Sequence, residues 1–311
     1  MLFGDGYAKK RNIVLYFAHK KKMDKLIFID DDEYPMAAIQ NKNKKLLWMG
    51  QSVVGTHLAF NDQADITHGH HCGYISPIPR IRFDEHLTEA DFKLFIEAIS
   101  NDIISWDKIK FLLDHQKGIT YADENILNNH IAYEVEEENH MKFISGANLC
   151  FNLKSAAKLP PFYNPPGARG EDTFMSTALH QLKVLKVPCY TFHDGFLMYK
   201  HILHGVIPTS LDGIDESTTA NQKRFINACI GWIRYKPLLV YITNPNGFDV
   251  AMQVIRKNLT HAIPLLNQYF ETSDFNKVLS EFEKYLKRVH RHYEDFQKTK
   301  RLWSNLMQGL P

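Results

Sequence analysis

Residues 25–33 read KLIFIDDDE, a short apolar run followed directly by four acids. An apolar run of this length predicts a buried strand, which places the acids at its carboxyl end. Adjacent carboxylates repel one another, and burial makes that repulsion costly unless a cation or backbone N–H groups offset it. Since side chains alternate along a strand, we expect Asp30 and Asp32 to share one Mg²⁺ or Mn²⁺ ion and Asp31 to point away. A solvated turn after the strand is the alternative interpretation.

A second pair of acids follows a loop rich in proline and glycine, which reads PPGARGEDT at residues 165–173. Apolar residues then recur at helical spacing as far as Leu182, so Glu171 and Asp172 are expected at the start of a helix. Carboxylates are favoured there by the helix dipole and by free backbone N–H groups, which is a purely structural explanation. The functional explanation is a general base that faces a cleft.

Short apolar runs alternate with Gly, Pro, Asp and His up to about Pro208, a pattern that is typical of an α/β sheet. A surface helix is expected over residues 88–104, with Thr88 and Asp91 spaced as a capping box. From Asp215 onward the apolar residues recur at helical spacing. We expect an α/β domain over residues 1–208 and a helical region over residues 209–311. The further strands are expected at residues 50–54, 142–144, 148–152 and 184–192.

Composition excludes several classes of protein. The 311 residues are 44% hydrophobic and 23% charged, and the formal charge of +2 favours neither a nucleic acid nor an anionic lipid as partner. No apolar run approaches the roughly 20 residues of a membrane helix, so we expect no membrane span and a soluble, cytoplasmic protein. The four cysteines never form a C-x-x-C pair, and they are expected to be reduced and mostly buried.

Histidine is frequent, with 16 in the chain, and most of these residues are expected to be incidental. One group, His68, His70 and His71, precedes Cys72. A zinc site made of these four residues lacks the separated ligand pairs that such sites use.

Taken in order, these segments resemble glycosyltransferases of the GT-A fold, especially the large inverting (family 2-like) group. The resemblance covers residues 4–205 and implies a mixed sheet flanked by helices, with residues 1–208 as the catalytic domain. It implies metal-dependent transfer of a sugar from a nucleoside-diphosphate donor to a glycan or other hydroxyl acceptor, with inversion. The segments that carry it are Lys10-Arg11-Asn12, Asp30-Asp31-Asp32, Ser145-Gly146-Ala147-Asn148 and Gly170-Glu171-Asp172.

The same resemblance implies a role for each matching residue. Asp30 and Asp32 would hold Mn²⁺ or Mg²⁺ against the donor diphosphate. His193 would be a late metal ligand, with His201 and His204 as rivals. Asp172 would be the catalytic base, with Glu171 beside it as an orienting or sugar-contacting partner. The residues expected to bind donor or acceptor are Arg11, Asn12, Asp31, Gly146, Ala147, Asn148 and Gly170.

One feature departs from the family. Its fold starts several dozen residues before the Arg-Asn pair, with a β-α-β unit that binds the nucleotide base, whereas Gly4 stands six residues before Lys10 here. We expect one of three explanations: the chain is a truncated gene product or fragment, another segment or subunit supplies that unit, or the protein has lost donor binding. An edge strand without a neighbour there would leave backbone N–H and C=O groups free to pair with a second chain. A homo-oligomer is therefore one expected arrangement.

Two other functions remain open at the level of sequence. The same acids, together with His70 and His71, could serve a two-metal phosphoesterase. Alternatively, the chain could be a non-catalytic glycan-binding protein with a degenerate transferase fold.

Overall fold

The computed structural model describes residues 2–100 and 105–309, and over these residues the chain is a mixed α/β protein. The strands are β1 Lys25–Phe28, β2 Glu33–Tyr34, β3 Met36–Gln40, β4 Leu46–Gly50, β5 Ile66–Gly73, β6 Tyr133–Glu134, β7 Leu149–Asn152 and β8 Val184–His193. The α-helices are α1 Tyr7–Lys20, α2 Val53–Asn61, α3 Glu89–Ile99, α4 Trp106–Gln116, α5 Glu124–Asn129, α6 Glu171–Ser176, α7 Thr219–Thr243, α8 Phe248–Tyr269, α9 Asn276–Leu286 and α10 Val289–Gln308.

The main sheet has the order β1-β7-β5-β8-β2, and β6 also pairs with β8. It is a mixed sheet because β5 and β8 run parallel while the other pairs are antiparallel. Among the described residues, β1 pairs with β7 alone and forms one edge of the sheet. The homo-oligomer stays a prediction.

Three of the expected strands are confirmed, at residues 25–28, 149–152 and 184–193. The strand expected at residues 50–54 is wrong, because β4 ends at Gly50 and α2 begins at Val53. The strand expected at residues 142–144 is also wrong. The N–H of Lys142 donates to the carbonyl of Ser176 and that of Ile144 to its hydroxyl, so α6 satisfies groups that a strand would have paired.

The predicted capping box is confirmed at the start of α3. The N–H of Asp91 donates to Thr88 Oγ1 over 3.2 Å, and the Asp91 carboxylate accepts from the N–H of Thr88. The helix is described as far as Ile99, and residues 101–104 of the predicted span lie outside the described residues. In contrast, α6 begins at Glu171 as expected but ends at Ser176, well before Leu182. The hydroxyl of Ser176 donates to the Asp172 carbonyl, and such local side-chain bonds compete with the helical ladder.

The C-terminal helices share a core with the rest of the chain. Phe225 of α7 is buried against the rings of Phe92 and Phe95 of α3, at centroid distances of 6.2 and 6.3 Å. Phe174 of α6 joins the same cluster through the ring of Tyr235. Burial of these aromatic faces therefore joins α6 and α3 to the helical region.

The four cysteines are buried and free, as expected. Within residues 2–100 and 105–309, none of the helices combines the length and the apolarity needed to cross a bilayer.

Replacing Phe225 by Ala should lower the free energy of unfolding by about 3–5 kcal/mol, because a buried ring is removed and its neighbours cannot close the cavity. Urea unfolding of the purified protein measures this loss. Phe17→Ala is the matched control, since that ring on α1 is half exposed and its removal should cost under about 1 kcal/mol. Equal losses of unfolding free energy in the two variants would contradict a core shared by α3 and α7.

Candidate active site

Arg11 lies at the centre of the candidate site. It projects from α1, is 9% exposed, and its guanidinium contacts three separate segments of the chain. Nη2 lies 3.0 Å from Asp30 Oδ1, Nε lies 3.6 Å from Glu171 Oε1, and Nη1 donates to the carbonyl of Gly146. The acids after β1 and the acids at the start of α6 therefore meet at one guanidinium, as the resemblance implies.

The backbone at the start of α6 is shaped by Gly170. Its φ of 89° is left-handed, and a Cβ there would lie 3.0 Å from the ring of Tyr235. Asp172 follows with both carboxylate oxygens hydrogen-bonded. Oδ2 accepts from the N–H of Gly146 at 3.0 Å, and Oδ1 accepts from the N–H of Thr173 at 2.9 Å. Gly146 thus bridges Arg11 and Asp172 through its carbonyl and its N–H.

The C-terminal helices hold the loop that delivers these acids. Arg234 of α7 donates from Nη1 to the carbonyl of Gly167 over 2.7 Å, and the hydroxyl of Tyr285 of α9 donates to the carbonyl of Pro166. Within the loop, Asn164 Nδ2 donates to the carbonyl of Ala168 at 2.6 Å. The position of Glu171 and Asp172 therefore depends on the helical region as well as on the sheet.

Burial raises the pKa values of both acids. Burial, followed by the charge of Asp172, raises the pKa of Glu171 to about 7, although the Arg11 guanidinium opposes the shift. Burial also raises the pKa of Asp172, against the N–H of Thr173 and the charge of Arg11. The Glu171 side chain nevertheless keeps 15% of its surface exposed. A carboxyl that titrates near neutrality and remains partly exposed, as Glu171 does, is suited to accept a proton.

Asp32 and His193 form a second feature of the site. His193 Nδ1 donates to the carbonyl of Tyr74 at 2.7 Å, so Nε2 faces Asp32 Oδ2, 3.3 Å away. Burial alone would lower the pKa of His193, but the hydrogen bond and the charge of Asp32 raise it overall. The hydrogen bond from His193 in turn lowers the pKa of Asp32. Metal-binding histidines commonly donate one ring N–H to a backbone carbonyl, as His193 does here, which leaves the other nitrogen to bind the metal.

The aspartates of the acidic stretch separate instead of alternating. Because β1 ends at Phe28, Asp30 lies in a turn in which its carbonyl accepts from the N–H of Glu33. Its carboxylate is 49% exposed and is directed to Arg11, whereas Asp32 contacts His193 and Asp31 is exposed. The expectation that Asp30 and Asp32 share one ion through strand alternation therefore loses its geometric basis.

Among the described residues, no group of three or more His, Cys, Asp and Glu is arranged to hold a metal ion. Asp32 and His193 supply two ligand atoms, one carboxylate oxygen and one imidazole nitrogen. Divalent cations that bind substrate phosphates often take few protein ligands and complete their shell with phosphate oxygens and water. These two residues fit such an ion, and the metal stays a prediction.

Three expected binding residues do not join the acids around Arg11. Asn12 Nδ2 donates to the carbonyl of Phe162 and Asn12 Oδ1 accepts from its N–H, which anchors α1. Asn148 is fully buried, where His57 donates to its Oδ1 and its Nδ2 donates to the carbonyl of His70. Ala147 is buried between Gly146 and Asn148.

The remaining histidines are dispersed. His201 and His204 lie in a short 3₁₀ helix, and His193 is the one of the three late histidines that pairs with Asp32 in the described structure. His71 Nδ1 lies 2.9 Å from Glu33 Oε1, and His70 stacks on the ring of Tyr190.

Sequence reasoning missed Arg224, which lies beside Asp32. Arg224 of α7 lies close enough for its charge to act on Asp32, and its guanidinium lies 4.8 Å from the centroid of the Phe196 ring. Burial, and then the charge of Arg169, lower the pKa of Arg224. In the described part of the chain, Arg224 Nε is buried without a hydrogen-bond partner. One feature of the sequence could have pointed to Arg224. It directly precedes Phe225, which lies on the buried face of its helix, so Arg224 lies near the edge of that face.

Comparison of the chain with protein-family models, with curated proteins and with solved structures finds no match.

Replacing Arg11 by Gln should destabilise the protein by about 3 kcal/mol near neutral pH, because carboxylates in a partly buried site lose their cation. The loss should be larger at about pH 8 than at about pH 5.5. The folded pKa of Glu171, about 7, lies above its ordinary value of 4.5, so wild-type stability falls as pH rises between those values. Without Arg11 the folded pKa of Glu171 rises further. The pH range in which stability falls with rising pH then extends to higher pH.

Urea unfolding at both pH values tests this expectation. Arg82→Gln is the matched control, because that side chain is 83% exposed and its pair with Glu216 spans 3.7 Å. A deficit in Arg11→Gln that stays constant across pH would show that the carboxylates do not depend on Arg11.

Proposed function

We propose that the chain is a metal-dependent glycosyltransferase that moves a sugar from a nucleoside-diphosphate donor to a hydroxyl acceptor with inversion. The observation that carries the proposal is the meeting of two acid groups at Arg11. One group, after β1, ends at the Asp32–His193 pair, and the other opens α6 with Glu171 and Asp172. A cation-binding end and a proton-accepting end joined at one arginine are what such a transfer requires.

The donor diphosphate would bind at the Asp32 end. Asp32 and His193 would hold the Mn²⁺ or Mg²⁺ ion, which when bound offsets the charge of the leaving diphosphate. Arg224 adds positive charge beside Asp32, and Arg169 adds positive charge beside Arg224. Guanidinium groups suit phosphate oxygens in both charge and shape. The buried, unpartnered Nε of Arg224 within the described residues supports this role.

The acceptor hydroxyl would bind at the Asp172 end. Asp172 would take the hydroxyl proton as the acceptor oxygen bonds to the anomeric carbon and the bond from that carbon to the diphosphate oxygen breaks. A single displacement from the opposite face inverts the anomeric centre. The N–H groups of Gly146 and Thr173 fix the Asp172 carboxylate, while Arg11 holds Glu171 beside it as an orienting partner.

Calorimetry should find Mn²⁺-dependent binding of at least one donor among UDP-glucose, UDP-galactose, UDP-N-acetylglucosamine and GDP-mannose. Asp32→Ala should abolish that binding because it removes a ligand of the ion. Asp172→Asn should keep donor binding but reduce release of nucleoside diphosphate by at least about 100-fold, the usual scale for loss of a general base.

Asp24→Ala is the matched control, since this exposed acid precedes β1 at its opposite end and should affect neither readout. Donor binding that survives in Asp32→Ala would exclude the proposed metal end. If none of the donors gives heat, a non-catalytic or phosphoesterase function is favoured instead.

A further inference from the structure

Lys186 occupies an unusual position in the middle of the sheet. It lies on β8, directly across from His68 of β5 on one side and from Tyr133 of β6 on the other. In the described structure its Nζ has one hydrogen-bond partner, His68 Nδ1 at 3.3 Å, and it forms no ion pair with a carboxylate. Burial lowers its pKa to about 7. A lysine held among strands without a counter-charge either gives up its proton or binds an anion.

His68 beside it also has an unsatisfied donor. The residue is 1% exposed, and its Nδ1 faces both Lys186 Nζ and the N–H of Ser145, the latter at 3.5 Å. With two donors directed at Nδ1, the ring hydrogen belongs on Nε2. That Nε2 is buried and has no hydrogen-bond partner among the described residues. The Nε2–H of His68 therefore lacks an acceptor, and the Lys186 amine, which carries several N–H donors, has one acceptor, His68 Nδ1, and no carboxylate beside it among the described residues.

Aromatic rings surround these donors. Phe143 lies edge-on to His68 at 6.1 Å, and His70 lies 5.0 Å from Tyr190 and 6.3 Å from Tyr133. Rings of this kind lower the local polarity, which strengthens any charge-assisted hydrogen bond made there.

The cluster adjoins the proton-accepting end of the candidate active site. The N–H of Ser145 faces His68, and the next N–H along the chain, that of Gly146, holds Asp172. A group bound at Lys186 would therefore lie near a hydroxyl bound at Asp172.

We propose that Lys186, with His68 and Tyr133 beside it, forms a subsite for a compact anion, the carboxylate or phosphate group of a sugar acceptor. The assignment to the acceptor rests on the proposed transferase function, whereas the binding of an anion does not. The subsite directs the enzyme to acidic acceptors, such as uronic acids or sugar phosphates, in preference to neutral sugars.

Calorimetry without donor or metal tests the subsite with three probes: glucuronate, inorganic phosphate and neutral glucose. Wild type should bind at least one of the two anions at least 10-fold more tightly than glucose, and the tighter of the two identifies the source of the anion. Lys186→Met should lose at least 10-fold in that affinity. Lys183→Met is the matched control, since this exposed lysine precedes the same strand and should leave the affinity unchanged.

Folding of the variant is checked by thermal melting. Lys186→Met removes a buried charge without a partner, so it should melt at or above the wild-type temperature. Unchanged anion affinity in Lys186→Met, or glucose binding as tight as that of both anions, would overturn the subsite. Asp172→Asn should retain anion binding. Absence of sugar transfer in the wild-type protein, together with Lys186-dependent anion binding, would discredit the transferase function alone.

Discussion

The arrangement around Arg11 is the constraint on which the rest of the structure depends. Asp30 and Glu171 come from distant parts of the chain, yet both lie within 4 Å of the Arg11 guanidinium. Burial raises the pKa values of Asp30, Glu171 and Asp172 alike, and in each case the Arg11 charge opposes that rise. Without a shared cation, bringing these acids together in a cleft would cost more than local packing provides. Arg11 allows a proton-accepting group and a cation-binding group to occupy one site.

The helical region contributes to this site as much as the sheet does. Arg234 and Tyr285 hold the loop before α6, and Arg224 brings positive charge to Asp32. The site then has Arg224 beside the Asp32–His193 pair at one end and buried carboxyls with raised pKa values at the other. In the proposed transfer, the diphosphate would bind at the first end and the acceptor hydroxyl at the second. The proposed anion subsite at Lys186 would adjoin the second end.

The sequence predicts local features of this fold better than long-range contacts. The apolar run before Asp30, the capping box at Thr88 and the acids that open α6 each follow from neighbouring residues, and all three are confirmed. The sequence does not predict strand β5, which pairs with β7 and β8. Its histidines suggest a cluster of metal ligands and do not form the apolar pattern of a strand. The separation of Asp30 from Asp32 depends on where β1 ends, which its apolar pattern does not define. Arg224 lies beside Asp32 because of tertiary packing alone. The spacing of residues in the sequence therefore could not predict this proximity.

The most direct test of the central claim is a crystal soaked with UDP and Mn²⁺, with the metal located by anomalous scattering. The account predicts one manganese peak between Asp32 and His193, about 2.2 Å from a carboxylate oxygen and from Nε2, with the diphosphate on the side of Arg224. The Asp172 carboxylate should remain free of the metal and open to the same cleft. A manganese peak bound elsewhere, or a nucleotide bound away from the Arg11 carboxylates, would contradict it.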